Sequence, residues 1–186
     1  MSEVPIVPLV VISPVRNEGK YVQKTLDAMV AQTVQPVEWL FVDDGSTDGT
    51  REILRSLAES DERVKVVFLR RNYGQTAAMQ AGLQLATGAV IATMDGDLQN
   101  DPHDSPMMLE KLEEGYDLVH GWRKDRKDPF LSRRLPSITA NWIISRTTRF
   151  PIHDLGCTLK LIRGEIAREL ELGRAGDLPP GALFGR

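Results

Sequence analysis

The strongest constraint on this sequence is a regular alternation of short apolar runs with stretches of helical periodicity. The apolar runs cover residues 8–13, 37–42, 64–69, 90–94 and 117–120. Between them, apolar side chains recur three or four residues apart, as on the buried face of a helix. Strands that alternate with helices in this way indicate βαβ units. The sequence therefore predicts an α/β fold with a mainly parallel, Rossmann-like sheet flanked by helices.

Length and composition fit one such domain. The chain has 186 residues, of which 41% are hydrophobic, which is enough for one real core. Its single cysteine, Cys157, excludes a disulfide scaffold. No apolar run approaches the roughly 18 residues of a membrane-spanning helix. The N-terminus lacks the basic start and long apolar stretch of a signal peptide, so we expect a cytoplasmic location.

The carboxyl edge of the predicted sheet is where a ligand is expected. Right-handed crossovers bring the carboxyl ends of parallel strands to one edge, and ligands bind there. The loops at this edge cover residues 14–18, 43–48, 70–75 and 95–101. Acidic side chains lie in or beside them: Glu18, Asp43, Asp44, Asp48, Asp95, Asp97, Asp101 and Asp104. Two common phosphate-binding motifs, the P-loop and the dinucleotide-binding glycine fingerprint, are absent from the sequence.

Two groups of these acids have alternative interpretations. Asp95 and Asp97 directly follow the fourth strand, and two hard carboxylates one residue apart can converge on Mg²⁺ or Mn²⁺. The alternative is an ordinary turn, where Asp and Gly are common. Asp43 and Asp44 suit acceptance of hydrogen bonds from a base or from ribose hydroxyls. Their alternative is a turn followed by a helix that Asp48 or Thr50 caps.

The net charge of −3 conceals two regions of opposite sign. Residues 120–149 contain eight basic and two acidic residues, a net charge of +6, which leaves −9 for the remainder of the chain. Between Phe130 and Phe150 arginines alternate with Leu, Ile and Trp142. A basic helix with an apolar face is typical of an interfacial membrane helix. The alternatives are a solvated surface and simple packing on the sheet; we expect one end to pack and the other to present arginines.

Several motifs occur together and in order, and on them the chain resembles family 2 glycosyltransferases of the GT-A fold. They are 14–18 (PVRNE), 42–50 (VDDGSTDGT), 71–74 (RNYG), 94–99 (MDGDLQ), 101–102 (DP), 121–129 (GWRKDRKDP) and 153–160 (HDLGCTLK). Within the family, DLQ after the acidic motif is similar to dolichol-phosphate mannose synthases and their bacterial relatives. The later motifs most resemble undecaprenyl-phosphate glycosyltransferases. The resemblance covers about residues 7–172.

The resemblance implies roles for particular residues. Those implied to bind the nucleotide-sugar are Pro14, Asn17, Glu18, Asp43, Asp44, Asn72, Gly74, Asp95 and Gly96. Those implied to hold Mg²⁺ or Mn²⁺ are Asp95, Asp97 and Gln99. Those implied to contact an acceptor phosphate are Arg123, Arg133, Arg134 and Ser137. The implied catalytic residues are Asp95, Asp97, Arg123 and Asp154, with Asp154 near the transferred sugar or, alternatively, a structural cap.

By the same resemblance, the chain is expected to be a metal-dependent, inverting enzyme. It would move a sugar from a GDP- or UDP-sugar to a polyprenyl phosphate, dolichyl or undecaprenyl, as a peripheral protein on the cytoplasmic face of an anionic membrane. One alternative is transfer to a saccharide hydroxyl, and another is an inactive nucleotide-sugar-binding module. No nucleic-acid partner is expected, and the sequence leaves the oligomeric state open.

Two segments are expected along the chain. Residues 1–172 form the catalytic GT-A domain, and residues 173–186 form a tail that matches nothing in the family. The tail is expected to be disordered or the product of a truncation, a frameshift or a genuinely short form. Relatives usually continue with further helices that cover the acceptor site, so loss of those helices is expected to affect acceptor binding more than donor and metal binding.

Overall fold

The computed structural model describes residues 8–31, 34–96, 104–122, 146, 157–170 and 183–184. Strands and helices alternate along these residues as the sequence predicts. In chain order they are β1 (Leu9–Val15), α1 (Val22–Val30), β2 (Glu38–Asp43), α2 (Thr50–Ser60), β3 (Val64–Leu69), α3 (Gln75–Leu85), β4 (Val90–Thr93), α4 (Ser105–Glu113), β5 (Leu118–His120), β6 (Lys160–Arg163), α5 (Gly164–Glu169) and β7 (Leu183–Phe184).

The strands of the described residues form one sheet in the order β5-β6-β4-β1-β2-β3-β7. β1 lies between β2 and β4 and is parallel to both, and β2 is parallel to β3. β6 runs antiparallel to both β4 and β5, so β5 has the same direction as the parallel strands. The predicted mainly parallel α/β sheet is therefore confirmed. Its chain order reverses at β1, and the edge beside such a reversal is where ligands bind in open α/β sheets.

Helices cover both faces of the sheet, because side chains point alternately to the two faces along each strand. α1, α2 and α4 pack on one face, where Val11, Phe41 and Leu161 are completely buried. α3 and α5 pack on the other face, against Ile12, Val42 and neighbouring apolar side chains. Both faces are covered along the central strands, which explains why these strands appear in the sequence as continuous apolar runs.

α3 lies close to the sheet because its contact face is made of small residues. Ala77, Ala78, Ala81 and Gly82 are buried in this helix. A Cβ atom added at Gly82 would overlap the side chain of Ile12 in β1. Because α3 follows the loop at the carboxyl end of β3, its first residue, Gln75, lies at the carboxyl edge of the sheet and lines the cavity there.

The structure adds elements that the sequence did not predict. β6 inserts between β4 and β5, and α5 follows it directly. In the segment 173–186, expected as a tail apart from the domain, Leu183 and Phe184 pair with Leu69 and Phe68 of β3. Such pairings join residues far apart in sequence, and a four-residue strand carries little periodic signal of its own.

Two details differ from the sequence prediction at element ends. β1 continues to Val15 rather than ending at Ser13, because Pro14 and Val15 remain in register with Val42 and Asp43 of β2. The cap of α2 is Gly49, with no side-chain cap bond, rather than Asp48 or Thr50. Asp48 nevertheless accepts a hydrogen bond from the backbone N–H of Thr50 at 3.1 Å.

No helix within the described ranges combines the length and apolar character needed to cross a membrane. The basic stretch is described only at residues 120–122 and 146, so the predicted interfacial helix lies outside the described residues.

Candidate active site

A cavity of about 410 Å³ opens at the carboxyl edge of the sheet, beside the ends of β1 and β4. All four predicted edge loops contribute to its wall. The lining residues are Pro14, Val15, Arg16, Glu18, Asp44, Asn72, Gly74, Gln75, Asp95 and Gly96. Seven of them are residues that the sequence predicted to bind a nucleotide-sugar. The parallel topology brings them together from four strand ends, as expected from the position of the chain reversal.

The two adjacent aspartates after β2 have different surroundings. Asp43 is completely buried, and its oxygens accept hydrogen bonds from the backbone N–H of Ser46 and from Nε of Arg51. Asp44 lines the cavity, and its oxygens accept hydrogen bonds from the backbone N–H groups of Tyr73 at 2.7 Å and Gly74 at 2.9 Å. Asp44 therefore fastens the loop after β3 to the loop after β2, whereas Asp43 lies behind the cavity wall.

Asn17 connects the first two loops of the site. It has a left-handed backbone conformation with φ of 57°, a region that Asn tolerates better than most residues. Its backbone N–H donates to Oγ of Ser46 at 2.9 Å, and its Oδ1 accepts from the backbone N–H of Thr47 at 2.9 Å. Asn17 is not among the residues that line the cavity. Its described contacts shape the loops.

Gly45 allows the second and third loops to touch. Its φ is 71°, and an added Cβ would lie 2.5 Å from backbone atoms of Arg71 and Asn72. Any other residue would push the loop after β3 away from the loop after β2. The Gly in the 42–50 motif is thus required by backbone contact as well as by its own conformation.

Asp48 stabilises the end of the same loop as an anion. Its partial burial acts to raise its pKa, but hydrogen bonds from Thr50 and from the backbone of Gly19 outweigh this effect. The pKa of Asp48 is consequently held below its ordinary value of 3.8. The carboxylate stays charged at neutral pH and keeps its hydrogen bonds to both loops.

Asp95 and Gly96 form the wall of the cavity after β4. Oδ1 of Asp95 accepts a hydrogen bond from Nε2 of Gln75 at 3.1 Å, and its Oδ2 accepts from Oγ1 of Thr158 at 2.8 Å. The carbonyl of Gly96 accepts from Oγ1 of Thr25 in α1 at 2.9 Å. A Cβ on Gly96 would lie 2.7 Å from the side chain of Val15, so this glycine packs directly on β1.

Gln75 and Thr158 are site residues that the sequence did not reveal. Gln75 directly follows the RNYG motif at the start of a helix, which was its only signal. Thr158 lies within the 153–160 motif but is 63 positions from Asp95, and nothing in the local pattern links the two. β6 carries Thr158 to the site because it pairs with β4, the strand that ends before Asp95.

The remaining predicted site residues lie outside the described residues. They are Asp97, Gln99, Arg123, Arg133, Arg134, Ser137 and Asp154. Across the residues that are described, no three His, Cys, Asp or Glu side chains converge as a metal site. Asp95 offers the hard oxygen ligands that Mg²⁺ and Mn²⁺ prefer, and it lies on the cavity wall where such an ion would have access to a bound ligand.

The chain is similar to curated proteins that act on polyprenyl phosphates. It is 45% identical over 169 residues to the dodecaprenyl-phosphate galacturonate synthase of Rhizobium johnstonii, covering 88% of this chain and 50% of that protein. It is 37% identical over 174 residues to the undecaprenyl-phosphate 4-deoxy-4-formamido-L-arabinose transferase of Pseudomonas aeruginosa, covering 91% of this chain and 51% of that protein. The chain spans about half the length of the curated relatives it matches.

Solved structures share its fold. The mannosyltransferase PcManGT of Pyrobaculum calidifontis, in complex with GDP-Man and Mn²⁺, has a TM-score of 0.57 and 26% identity over 63% of this chain and 36% of that one. The glucosyl-3-phosphoglycerate synthase of Mycobacterium tuberculosis, in complex with Mn²⁺, UDP and phosphoglyceric acid, has a TM-score of 0.68 and 19% identity over 86% of this chain and 57% of that one. These similarities confirm the predicted GT-A fold.

The family profile described as glycosyl transferase family 2 matches residues 10–171, most of the chain and every described loop of the cavity. Together with the two curated relatives, this match confirms the resemblance seen in the motifs. The chain belongs to glycosyl transferase family 2.

Proposed function

We propose that this chain is the catalytic portion of a metal-dependent, inverting glycosyltransferase that moves a sugar from a nucleotide-sugar to a polyprenyl phosphate. The observation that carries the proposal is the cavity at the chain reversal, lined by seven residues of the family motifs. The names of the relatives, which act on dodecaprenyl and undecaprenyl phosphates, support the acceptor class.

The donor occupies this cavity. Glu18 and Asp44 offer carboxylate oxygens that can accept hydrogen bonds from a base or from ribose hydroxyls. Asn72 and Gly74 of the third loop and Pro14 of the first loop also line the cavity. Asn17 and Asp43 do not line the cavity, but their hydrogen bonds hold these loops in place. GDP- and UDP-sugars both remain candidates for the donor, since complexes with GDP-Man and with UDP occur among the similar structures.

Asp95, Asp97 and Gln99 would hold Mg²⁺ or Mn²⁺ against the diphosphate of the donor. A divalent ion there supplies Lewis-acid stabilisation of the charge on the departing nucleoside diphosphate. Of these three residues, Asp95 is the one that the structure describes, and it fits this role. Its oxygens accept hydrogen bonds from the neutral side chains of Gln75 and Thr158, and these two donors orient the carboxylate without cancelling its charge. Mn²⁺ in similar structures supports a divalent metal.

The acceptor phosphate would be held by Arg123, Arg133, Arg134 and Ser137. Arginine is suited to this because its planar fork binds phosphate in a bidentate way. A lipid phosphate is already an anion, so its attack on the sugar needs positioning and cations rather than a general base. Asp154 would orient the transferred sugar through its hydroxyls. The basic stretch at 120–149 would place this site on the cytoplasmic face of an anionic membrane.

The proposal is tested by turnover of a panel of GDP- and UDP-sugars with undecaprenyl phosphate and Mn²⁺. We expect a glycolipid product from at least one donor, and Asp97→Ala should abolish Mn²⁺-dependent nucleotide binding while Asp27→Ala, an exposed acid on α1, should not. Transfer to a saccharide hydroxyl instead would favour the second enzyme class. Nucleotide binding without turnover on any acceptor would indicate an inactive binding module. Unchanged nucleotide affinity in Asp97→Ala would overturn the metal assignment.

A further inference from the structure

Two neutral side chains from different parts of the chain donate hydrogen bonds to the Asp95 carboxylate. Oγ1 of Thr158 lies 2.8 Å from Oδ2, and Nε2 of Gln75 lies 3.1 Å from Oδ1. Gln75 is the first residue of α3 and Thr158 precedes β6, so the two donors approach from separate parts of the chain. Because these two bonds fall on different oxygens, they define the plane of the carboxylate as well as its position.

Thr158 is itself anchored by its neighbours. Its carbonyl accepts a hydrogen bond from Oγ1 of Thr93, the last residue of β4, at 2.6 Å. The preceding carbonyl, of Cys157, lies 3.0 Å from Nε2 of His120 and accepts from Nζ of Lys160 at 2.6 Å. These bonds tie the segment before β6 to both of its neighbouring strands. The Thr158 hydroxyl is therefore presented to Asp95 from a segment that the sheet holds in place.

Gln75 is placed by the loop that Asp44 fastens. The backbone N–H groups of Tyr73 and Gly74 donate to Asp44, and Gln75 follows them directly. A ligand that orders the cavity wall at Asp44 would thus also hold Gln75 in place, and Gln75 donates a hydrogen bond to Asp95. The two halves of the cavity, one after β2 and one after β4, are connected through these three consecutive residues.

We infer that Thr158 and Gln75 are positioning residues that hold Asp95 in the orientation needed to ligate the divalent metal. The inference rests on the proposed function. Its physical basis is that a metal-ligating carboxylate needs partners that fix its orientation but leave it negatively charged, and the partners around a ligand shell affect metal affinity strongly. A hydroxyl and an amide meet both conditions, whereas a lysine or arginine would compete with the metal for the charge.

The test is a Mn²⁺ titration of UDP and GDP binding, by calorimetry, in the wild type and in Thr158→Val, which removes the hydroxyl but keeps the shape. We expect the apparent Mn²⁺ affinity to fall about tenfold in Thr158→Val, as is common for partners of metal ligands. Gln75→Leu should weaken it about threefold, because this hydrogen bond is exposed to water and longer than the one from Thr158. Thr158→Ser, which restores the hydroxyl, should bind Mn²⁺ nearly as the wild type does.

Thr76→Val is the matched control, since it makes the same chemical change at an exposed residue next to Gln75. Thermal unfolding without metal distinguishes loss of fold from loss of positioning, and Gln75→Leu, at an exposed residue, is the variant least able to disturb folding. Wild-type Mn²⁺ affinity in both Thr158→Val and Gln75→Leu would overturn the inference alone. A wild type without Mn²⁺-dependent nucleotide binding would overturn the proposed function and this inference with it.

Discussion

The Nε atom of Arg51 lies 2.6 Å from Oδ2 of Asp43, whose side chain is completely buried. The same guanidinium donates from Nη2 to the carbonyl of Leu69 at 2.6 Å. One side chain of α2 thus joins the carboxyl ends of β2 and β3, the two strands whose following loops carry Asp44 and Asn72. Neither Arg51 nor Asp43 lines the cavity, so the ion pair supports the loops of the candidate site without contributing to its wall.

Arg51→Met should destabilise the protein by about 3 kcal/mol, because it leaves a buried carboxylate without its cation. Arg55→Met is the matched control: Arg55 also lies over the ring of Phe68, but it pairs with the exposed Glu52. An exposed pair contributes at most about 1 kcal/mol. Urea unfolding measures both, and equal losses would contradict the role assigned to the buried pair.

Asp44→Ala should reduce nucleotide affinity about tenfold, which corresponds to roughly one hydrogen bond to a charged group. The substitution removes the acceptor for the backbone N–H groups of Tyr73 and Gly74, so the loop after β3 loses its attachment to the loop after β2. Calorimetry with UDP and GDP measures the effect. Asp27→Ala, an exposed acid on α1, controls for loss of one charge, and equal affinity in the two variants would count against the assignment.

Gly45→Ala should destabilise the protein more than Gly115→Ala does. Both glycines have a positive φ, 71° and 107°, so both substitutions carry a backbone penalty of about 1–2 kcal/mol. Only at Gly45 would the new Cβ meet backbone, that of Arg71 and Asn72, whereas nothing lies within 4 Å of the corresponding point at Gly115. Urea unfolding compares them, and indistinguishable losses would show that the loops do not depend on this contact.

Lowering the pH should remove the contribution that Asp61 makes to the free energy of unfolding. Hydrogen bonds from the Arg63 side chain, then from its backbone, hold the pKa of Asp61 below its ordinary 3.8, against the opposite effect of burial. Because the folded pKa is the lower one, the contribution is complete above about pH 4 and disappears as the pH falls through the folded pKa. The free energy of unfolding of Asp61→Asn should therefore depend less on pH below pH 4. An unchanged slope would contradict this, and Asp27→Asn controls for the lost charge.

The basic stretch at 120–149 should bind anionic membranes electrostatically. Its net charge of +6 predicts sedimentation with phosphatidylglycerol vesicles at low salt and release at high salt, because each basic residue near such a surface contributes about 1 kcal/mol that salt screens. Phosphatidylcholine vesicles are the control surface. Lys124→Glu with Lys127→Glu should weaken sedimentation, and failure of the wild type to sediment would leave this stretch as ordinary packing.

Much of the site could be predicted because the topology of the sheet alone brings most of its loops together. Strand–helix alternation is a local pattern, and right-handed crossovers then bring the loops after β1, β2, β3 and β4 to one edge. Pro14, Glu18, Asp44, Asn72 and Asp95 were predicted to lie together, and all five line one cavity. No knowledge of side-chain packing was needed for that prediction, since the carboxyl ends of parallel strands meet wherever the helices pack.

By itself, the sequence determined the alternation of strands and helices, the acidic edge of the sheet and the family. The tertiary structure decided which of two adjacent residues lines the cavity and which distant residue contacts it. Asp43 and Asp44 are identical in chemistry and adjacent in the chain, but Arg51 and the register of β2 bury one and direct the other to the cavity. Thr158 reaches Asp95 only because β6 pairs with β4. Local patterns record periodicity, whereas partners many residues apart are selected by the free energy of the whole packed sheet.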